Sequence, residues 1–238
     1  MRIWKRLLGT ALCLCAAVCV MSVSASAAEH NHHPVCGETH TDIGDHTEPC
    51  SAVEWTAWNG TDEISYADGT NTACVYLSDK ATPSSTLTVT DGKTLNLCLN
   101  GKTLNSQYTV IEVTGSATLN ICDCQGGGEI KNTSESNSPI SVDPDYKGTA
   151  TLNLYGGKIS TDDTRDSGTV KLYNNNGGEP QTVAVFNMYG GEVHNEKIGE
   201  SAVYASYSGI GTGYFKLNMY GGSVTCENGN GFELNNNK

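Results

Sequence analysis

The residues best equipped for chemistry fall in two short stretches. "HNHHPVCGETHTDIGDHTEPC" carries five of the six histidines together with two cysteines. Imidazole nitrogen and thiolate sulfur suit zinc, and His33, Cys36, His46 and Cys50 would close a tetrahedral site. The spacing matches no zinc finger and contains no CxxC. The same two thiols could instead form a Cys36–Cys50 disulfide, or the stretch could be a loose linker. "STDDTRDSG" groups Asp162, Asp163 and Asp166 around Arg165. Carboxylates are calcium ligands in kind, but this is not EF-hand spacing, and a solvated acidic loop is the simpler reading.

An enzymatic reading needs more than these stretches offer. A polysaccharide lyase would place a strong base beside acidic calcium ligands, and Arg165 is the single arginine after residue 6. A glycoside hydrolase needs two carboxylates facing across a cleft. Glu129 and Glu192 follow glycine turns, but Lys158 and Ser223 hold the equivalent places in other copies, so no acidic column emerges. No GxSxG is present, and His194 is the only histidine beyond the leader. The sequence therefore reads as non-enzymatic.

What would position such residues is a repeat. "TLNLYGGKIS" from Thr151 returns as "VFNMYGGEVH" from Val185 and "KLNMYGGSVT" from Lys216. "TLNLCLNGKTL" from Thr94 and "TLNICDCQGGGEI" from Thr118 fit the same frame. Asn96, Asn120, Asn153, Asn187 and Asn218 then share one column. Within a copy hydrophobicity alternates: Leu152, Leu154 and Ile159 point one way, Thr151, Asn153 and Tyr155 the other. That period of two means a half-buried strand, a glycine turn and a second strand. Glycine pairs mark the turn because they accept positive φ. One coil per repeat, with loops of variable length, predicts an all-β parallel solenoid, a right-handed β-helix. "NGNGFELNNNK" at the end resembles "SGTVKLYNNNGG" from Ser167, so the chain is expected to stop inside a rung, truncated at its C-terminal side.

Stacked rungs lie about 4.8 Å apart, so each column is a potential site. One column reads Cys98, Cys122, Tyr155, Tyr189, Tyr220. Cysteines in adjacent rungs at one register fall within disulfide reach, which predicts a Cys98–Cys122 bridge with Cys124 as the rival partner. The tyrosines form an outward ladder with two uses. Flat aromatic faces bind sugar rings, or the rings brace one rung against the next. The asparagine column reads as a hydrogen-bonded amide ladder that holds register.

The repeat resembles the "LNMYGG" β-helix repeats of large exported surface proteins from gut-dwelling Gram-positive bacteria. Those proteins often begin with a His/Cys-rich stretch and a W-x-A-W segment, matched here by "HNHHPVCGETH" and "EWTAWNG". The resemblance covers nearly the whole exported chain. It implies a β-helix on the cell surface, in a group loosely called carbohydrate-binding domain-containing proteins.

The first 28 residues fit export. Arg2, Lys5 and Arg6 precede an apolar run from Leu7 to Val20, followed by small residues suited to cleavage after Ala27 or Ala28. Val18 is too large for lipoprotein processing at Cys19, and the run is too short for a membrane span. Of 14 basic residues three lie in this leader, leaving 11 against 26 acidic ones, a balance that excludes nucleic-acid binding. Seven cysteines remain after cleavage, an odd number, so at least one thiol lacks a partner within the chain.

The expected organisation is a signal peptide over 1–28, a disordered His/Cys-rich leader over 29–50, a cap with first strands over 51–85, and repeats over 86–238. Trp55 and Trp58 are expected to pack over the first rung. The expected function is adhesion or carbohydrate binding, with an extracellular glycan or cell-wall polysaccharide as partner. The chain would be secreted or held at the bacterial surface, with no membrane span after cleavage and no cofactor beyond a possible zinc or calcium ion. The alternatives are the N-terminal part of a polysaccharide lyase or glycoside hydrolase, and a structural spacer.

Overall fold

The computed structural model describes residues 55–90, 92–133, 137–145, 148–162, 168–174, 182–207 and 213–236. The signal peptide, the leader with His33, Cys36, His46 and Cys50, and Asp163, Arg165 and Asp166 lie outside them.

The described residues form three parallel sheets and no helix, the architecture of a parallel β-helix. The first sheet stacks β1 (Thr56–Trp58), β2 (Thr72–Leu77), β4 (Thr94–Cys98), β7 (Thr118–Cys122), β10 (Thr149–Leu154), β13 (Val183–Met188) and β16 (Tyr214–Met219) in that order. The second stacks β5 (Thr103–Ser106), β8 (Glu129–Asn132), β11 (Lys158–Thr161), β14 (Glu192–Asn195) and β17 (Ser223–Cys226). The third stacks β3 (Leu87–Val89), β6 (Ile111–Thr114), β9 (Ile140–Asp143), β12 (Val170–Asn174), β15 (Val203–Tyr207) and β18 (Phe232–Asn236). From β4 onward each coil contributes one strand to each sheet, so a strand inside a sheet pairs with its equivalents in the coils before and after it.

The alternation expected from the sequence sets the register. Leu95, Leu119, Leu152 and Phe186 align inward, as do Leu97, Ile121, Leu154 and Met188. Leu104, Ile130, Ile159 and Val193 close the second side of the core. These side chains are buried, each contributing about 1.5–3 kcal/mol. Burial depends on the next rung. Met188, covered by β16, is 1% exposed, whereas Met219 in the last described rung is 47% exposed. The last segment pairs as its similarity to the earlier one implies, with Val170, Val203 and Phe232 in one column.

The glycine pairs are not uniform, which corrects the expectation that both need positive φ. Only the second of each pair does: Gly157, Gly191 and Gly222 have φ of 84°, 78° and 83°. At Gly190 and Gly221 the first is needed for space, whereas a Cβ on Gly156 would meet nothing closer than Asp123 N at 3.4 Å. A Cβ on Gly190 would lie 2.5 Å from the carbonyl oxygen of Tyr155, and one on Gly221 2.5 Å from that of Tyr189. The rungs stack so closely at this corner that neighbouring backbones touch.

Candidate functional site

The corner between the first and second sheets gathers most of the residues singled out by sequence. On its first-sheet side the amide ladder runs unbroken. Asn120 Nδ2 donates to Asn96 Oδ1 at 2.7 Å, and Asn153 Nδ2 to Asn120 Oδ1 at 2.7 Å. Asn187 Nδ2 donates to Asn153 Oδ1 at 2.8 Å, and Asn218 Nδ2 to Asn187 Oδ1 at 2.7 Å. Asn120, Asn153 and Asn187 each donate to the rung before and accept from the rung after. The series begins on a residue the sequence reading passed over: Asn96 Nδ2 lies 3.1 Å from Cys74 Sγ. Burial pushes the Cys74 thiol pKa up, with the Asn96 contact pulling the other way.

Cys74 belongs to an earlier copy of the repeat. "TACVY" pairs residue for residue with "TLNLC", which sets Thr72 on Thr94, Cys74 on Asn96 and Tyr76 on Cys98. The signal was present as Thr72, Cys74 and Tyr76 at alternating positions, but cysteine in the asparagine place concealed it. The outward column therefore runs Tyr76, Cys98, Cys122, Tyr155, Tyr189, Tyr220. Cys98 and Cys122 are buried, with Trp55, Tyr76, Cys124 and Tyr155 packed around them.

The tyrosines form the expected ladder, and its geometry decides which atoms meet a ligand. Tyr155 and Tyr189 stack with centroids 4.7 Å apart and planes 7° from parallel, Tyr189 and Tyr220 at 4.9 Å and 7°. The ring faces are therefore turned to one another along the axis. Ring edges and hydroxyls point outward, and Tyr220 is 65% exposed.

Cys98 and Cys122 share a register, as the spacing predicts. Both stand as thiols, as does Cys124. Cys122 Sγ lies 3.6 Å from the carbonyl oxygen of Leu97, and Cys124 Sγ lies 3.3 Å from Cys98 Sγ.

Across the glycine corner the second sheet presents a polar column of Glu129, Lys158, Glu192 and Ser223. Lys158 Nζ approaches Glu192 Oε1 at 3.9 Å, and Ser160 Oγ donates to Glu129 Oε1 at 2.6 Å. His194 Nδ1 is 2.7 Å from Thr225 Oγ1. Lys131 Nζ lies 3.7 Å from Asp162 and 3.5 Å from Glu196. Lys158 occupies the rung between Glu129 and Glu192, so those two carboxylates are two rungs apart with a cation between them. A shallow groove of about 590 Å³ follows this corner along the axis. Its floor is Gly126–Gly128, Gly157 and Gly191, and its edges are Asp123 and the polar column. Asp123 is held in place by two backbone donors, Gly101 N at 2.7 Å and Gly128 N at 2.6 Å.

Among the described residues no group of three His, Cys, Asp or Glu side chains is arranged to hold a metal ion. No helix among them is long and apolar enough to cross a membrane. No protein-family model, curated protein or solved structure matches the chain.

Proposed function

We propose that the protein is a non-enzymatic exported β-helix that binds an extracellular glycan or cell-wall polysaccharide along its tyrosine corner. In this reading it is secreted or held at the bacterial cell surface. The observation that supports it is the in-register row of Tyr155, Tyr189 and Tyr220 beside a glycine-floored groove. A polysaccharide is a linear ligand with a short repeat, and a row of identical groups along an axis can meet it at several successive units. Bare glycine lets a sugar approach the backbone, while phenol and carboxylate oxygens pair with its hydroxyls. With the ring faces stacked on one another, the contacts belong to ring edges and hydroxyls.

That same stacking favours a second reading, in which the ladder braces a spacer and meets no ligand. A glycan-array screen separates the two. It compares the exported chain with a Tyr155→Phe/Tyr189→Phe/Tyr220→Phe variant, which keeps the stack, and with a triple Ala variant, which removes it. Binding weakened by Phe and lost with Ala, at unchanged circular dichroism, supports recognition by the ladder. Binding absent throughout would leave the spacer, and binding indifferent to the substitutions would place recognition away from the ladder.

A further inference from the structure

Cys98, Cys122 and Cys124 cluster beside the tyrosine ladder but do not face one another equally. Cys98 ends β4, and Cys122 sits directly above it at the end of β7. Side chains at one register would be the obvious pair, yet the Cys122 thiol turns toward the Leu97 carbonyl, 3.6 Å away. Cys124 lies just past the end of β7, at the start of the turn that Asp123 anchors by accepting from Gly101 N and Gly128 N. That anchor returns the Cys124 sulfur to within 3.3 Å of Cys98 Sγ. Non-bonded sulfurs this close need to approach by little more than 1 Å to reach bonding distance.

We propose that Cys98 and Cys124 are a modification site, closed by oxidation into a disulfide that ties two adjacent rungs at the groove. Cys98 is fully buried and Cys124 partly exposed, which fixes the order of events. The Cys124 thiolate attacks one sulfur of a small-molecule disulfide, forming a mixed disulfide and releasing one thiol. The Cys98 thiolate then attacks Cys124 Sγ and expels the second thiol. Two cysteine thiols lose two protons and two electrons, and the oxidant takes both up as two thiols. Cys122 keeps its thiol.

The bond has a structural consequence. Gly126 and Gly127 follow Cys124 in left-handed conformations, with no atom near where their Cβ atoms would lie. Such a turn is costly in entropy to order, and its glycines are part of the groove floor. A Cys98–Cys124 bond pins the turn at its root.

Proteolysis separates the possibilities. Trypsin releases 94–102 with Cys98 and 103–131 with Cys122 and Cys124, and a protease cutting before aspartate splits the second into 103–122 and 123–131. The full chain is incubated with oxidised glutathione, alkylated and digested without reductant. The expected product is 94–102 linked to 123–131, lighter by two hydrogens than the sum of its parts, with Cys122 alkylated. Cys124→Ser should abolish that product and Cys122→Ser should leave it. Linkage of 94–102 to 103–122 or to a leader cysteine, or alkylation of Cys98 throughout, would overturn the assignment.

Discussion

Tyr155 and Tyr189 stack ring on ring, 4.7 Å apart and 7° from parallel, so each ring shields its neighbour from water. Burial, with smaller contributions from Tyr189 and Cys122, pushes the Tyr155 phenol up to about 12 from its ordinary 10. The folded state thus holds that proton more tightly than the unfolded chain does. The stability tied to the neutral phenol is complete below pH 10 and disappears as pH rises through about 12. Phenolate absorbance should contain a late-titrating component that Tyr155→Phe removes. If the late component persists in the variant, it belongs to another tyrosine and the packing of the ladder is looser than its geometry implies.

The amide ladder predicts a gradient between its middle and its end. Asn153→Ala strands an acceptor on Asn120 and a donor on Asn187, at a cost of about 2 kcal/mol. Asn218→Ala removes the single ladder bond to Asn187, at a cost of about 1 kcal/mol. Urea unfolding of the two variants should rank them in that order. Equal losses would mean that the ladder bonds are exchanged for water at little cost.

Gly191 and Gly199 share a left-handed conformation, with φ of 78° and 85°, but differ in their surroundings. A Cβ at Gly199 meets nothing within 4 Å, whereas one at Gly191 would lie 2.6 Å from the Gly157 carbonyl oxygen. Gly199→Ala should therefore cost only the conformational strain, about 1 kcal/mol. Gly191→Ala adds a backbone clash and should cost about 3 kcal/mol or more, read from thermal melts.

Asp143, at the end of β9, is pushed up to about 6 from 3.8, first by burial and then by the charges of Asp145 and Glu112. Its backbone bond from Asp145 and the positive charge of Lys171 act in the opposite direction. The folded state favours the protonated carboxyl, so the associated stability is full below about pH 4 and is lost as pH rises through about 6. Asp143→Asn keeps an acceptor for Asp145 N and removes the buried charge. It should stabilise the protein by about 1 kcal/mol at neutral pH, after allowance for solvent screening, and change little near pH 4. Urea midpoints at the two pH values check this, and an equal effect at both would show that charge is not the cause.

How much was legible in the sequence differs from residue to residue. Leu152, Asn153 and Tyr155 alternate, and a strand can satisfy that alternation only with Leu152 inside. Recurrence of the pattern in five copies required a solenoid, because a lone coil has nowhere to bury its inward side chains. The columns followed from the same logic: residues at one register in parallel strands must stack, whatever they are. A sixth copy, over Thr72–Leu77, escaped because Cys74 stood where asparagine was expected. Buried Asn132, Asn174 and Asn195 also escaped. They donate to the carbonyls of Tyr108, Thr182 and Ser201, and the column that holds Asn132 and Asn195 is broken by Thr161 between them, so asparagine does not recur there from rung to rung.

By itself, then, the sequence determined which residues share a column, because strand period and rung stacking are local rules repeated without exception. Direction within a column was decided only in three dimensions. Whether tyrosine rings turn their faces outward or onto one another depends on the rung spacing, which falls within the centroid separation of offset-stacked rings and so favours the stack. Whether Cys98 meets Cys122 or Cys124 depends on the corner that Asp123 fixes through Gly101 and Gly128. Such choices rest on distances of about an ångström between groups far apart in the chain, and a periodic pattern carries no information at that scale.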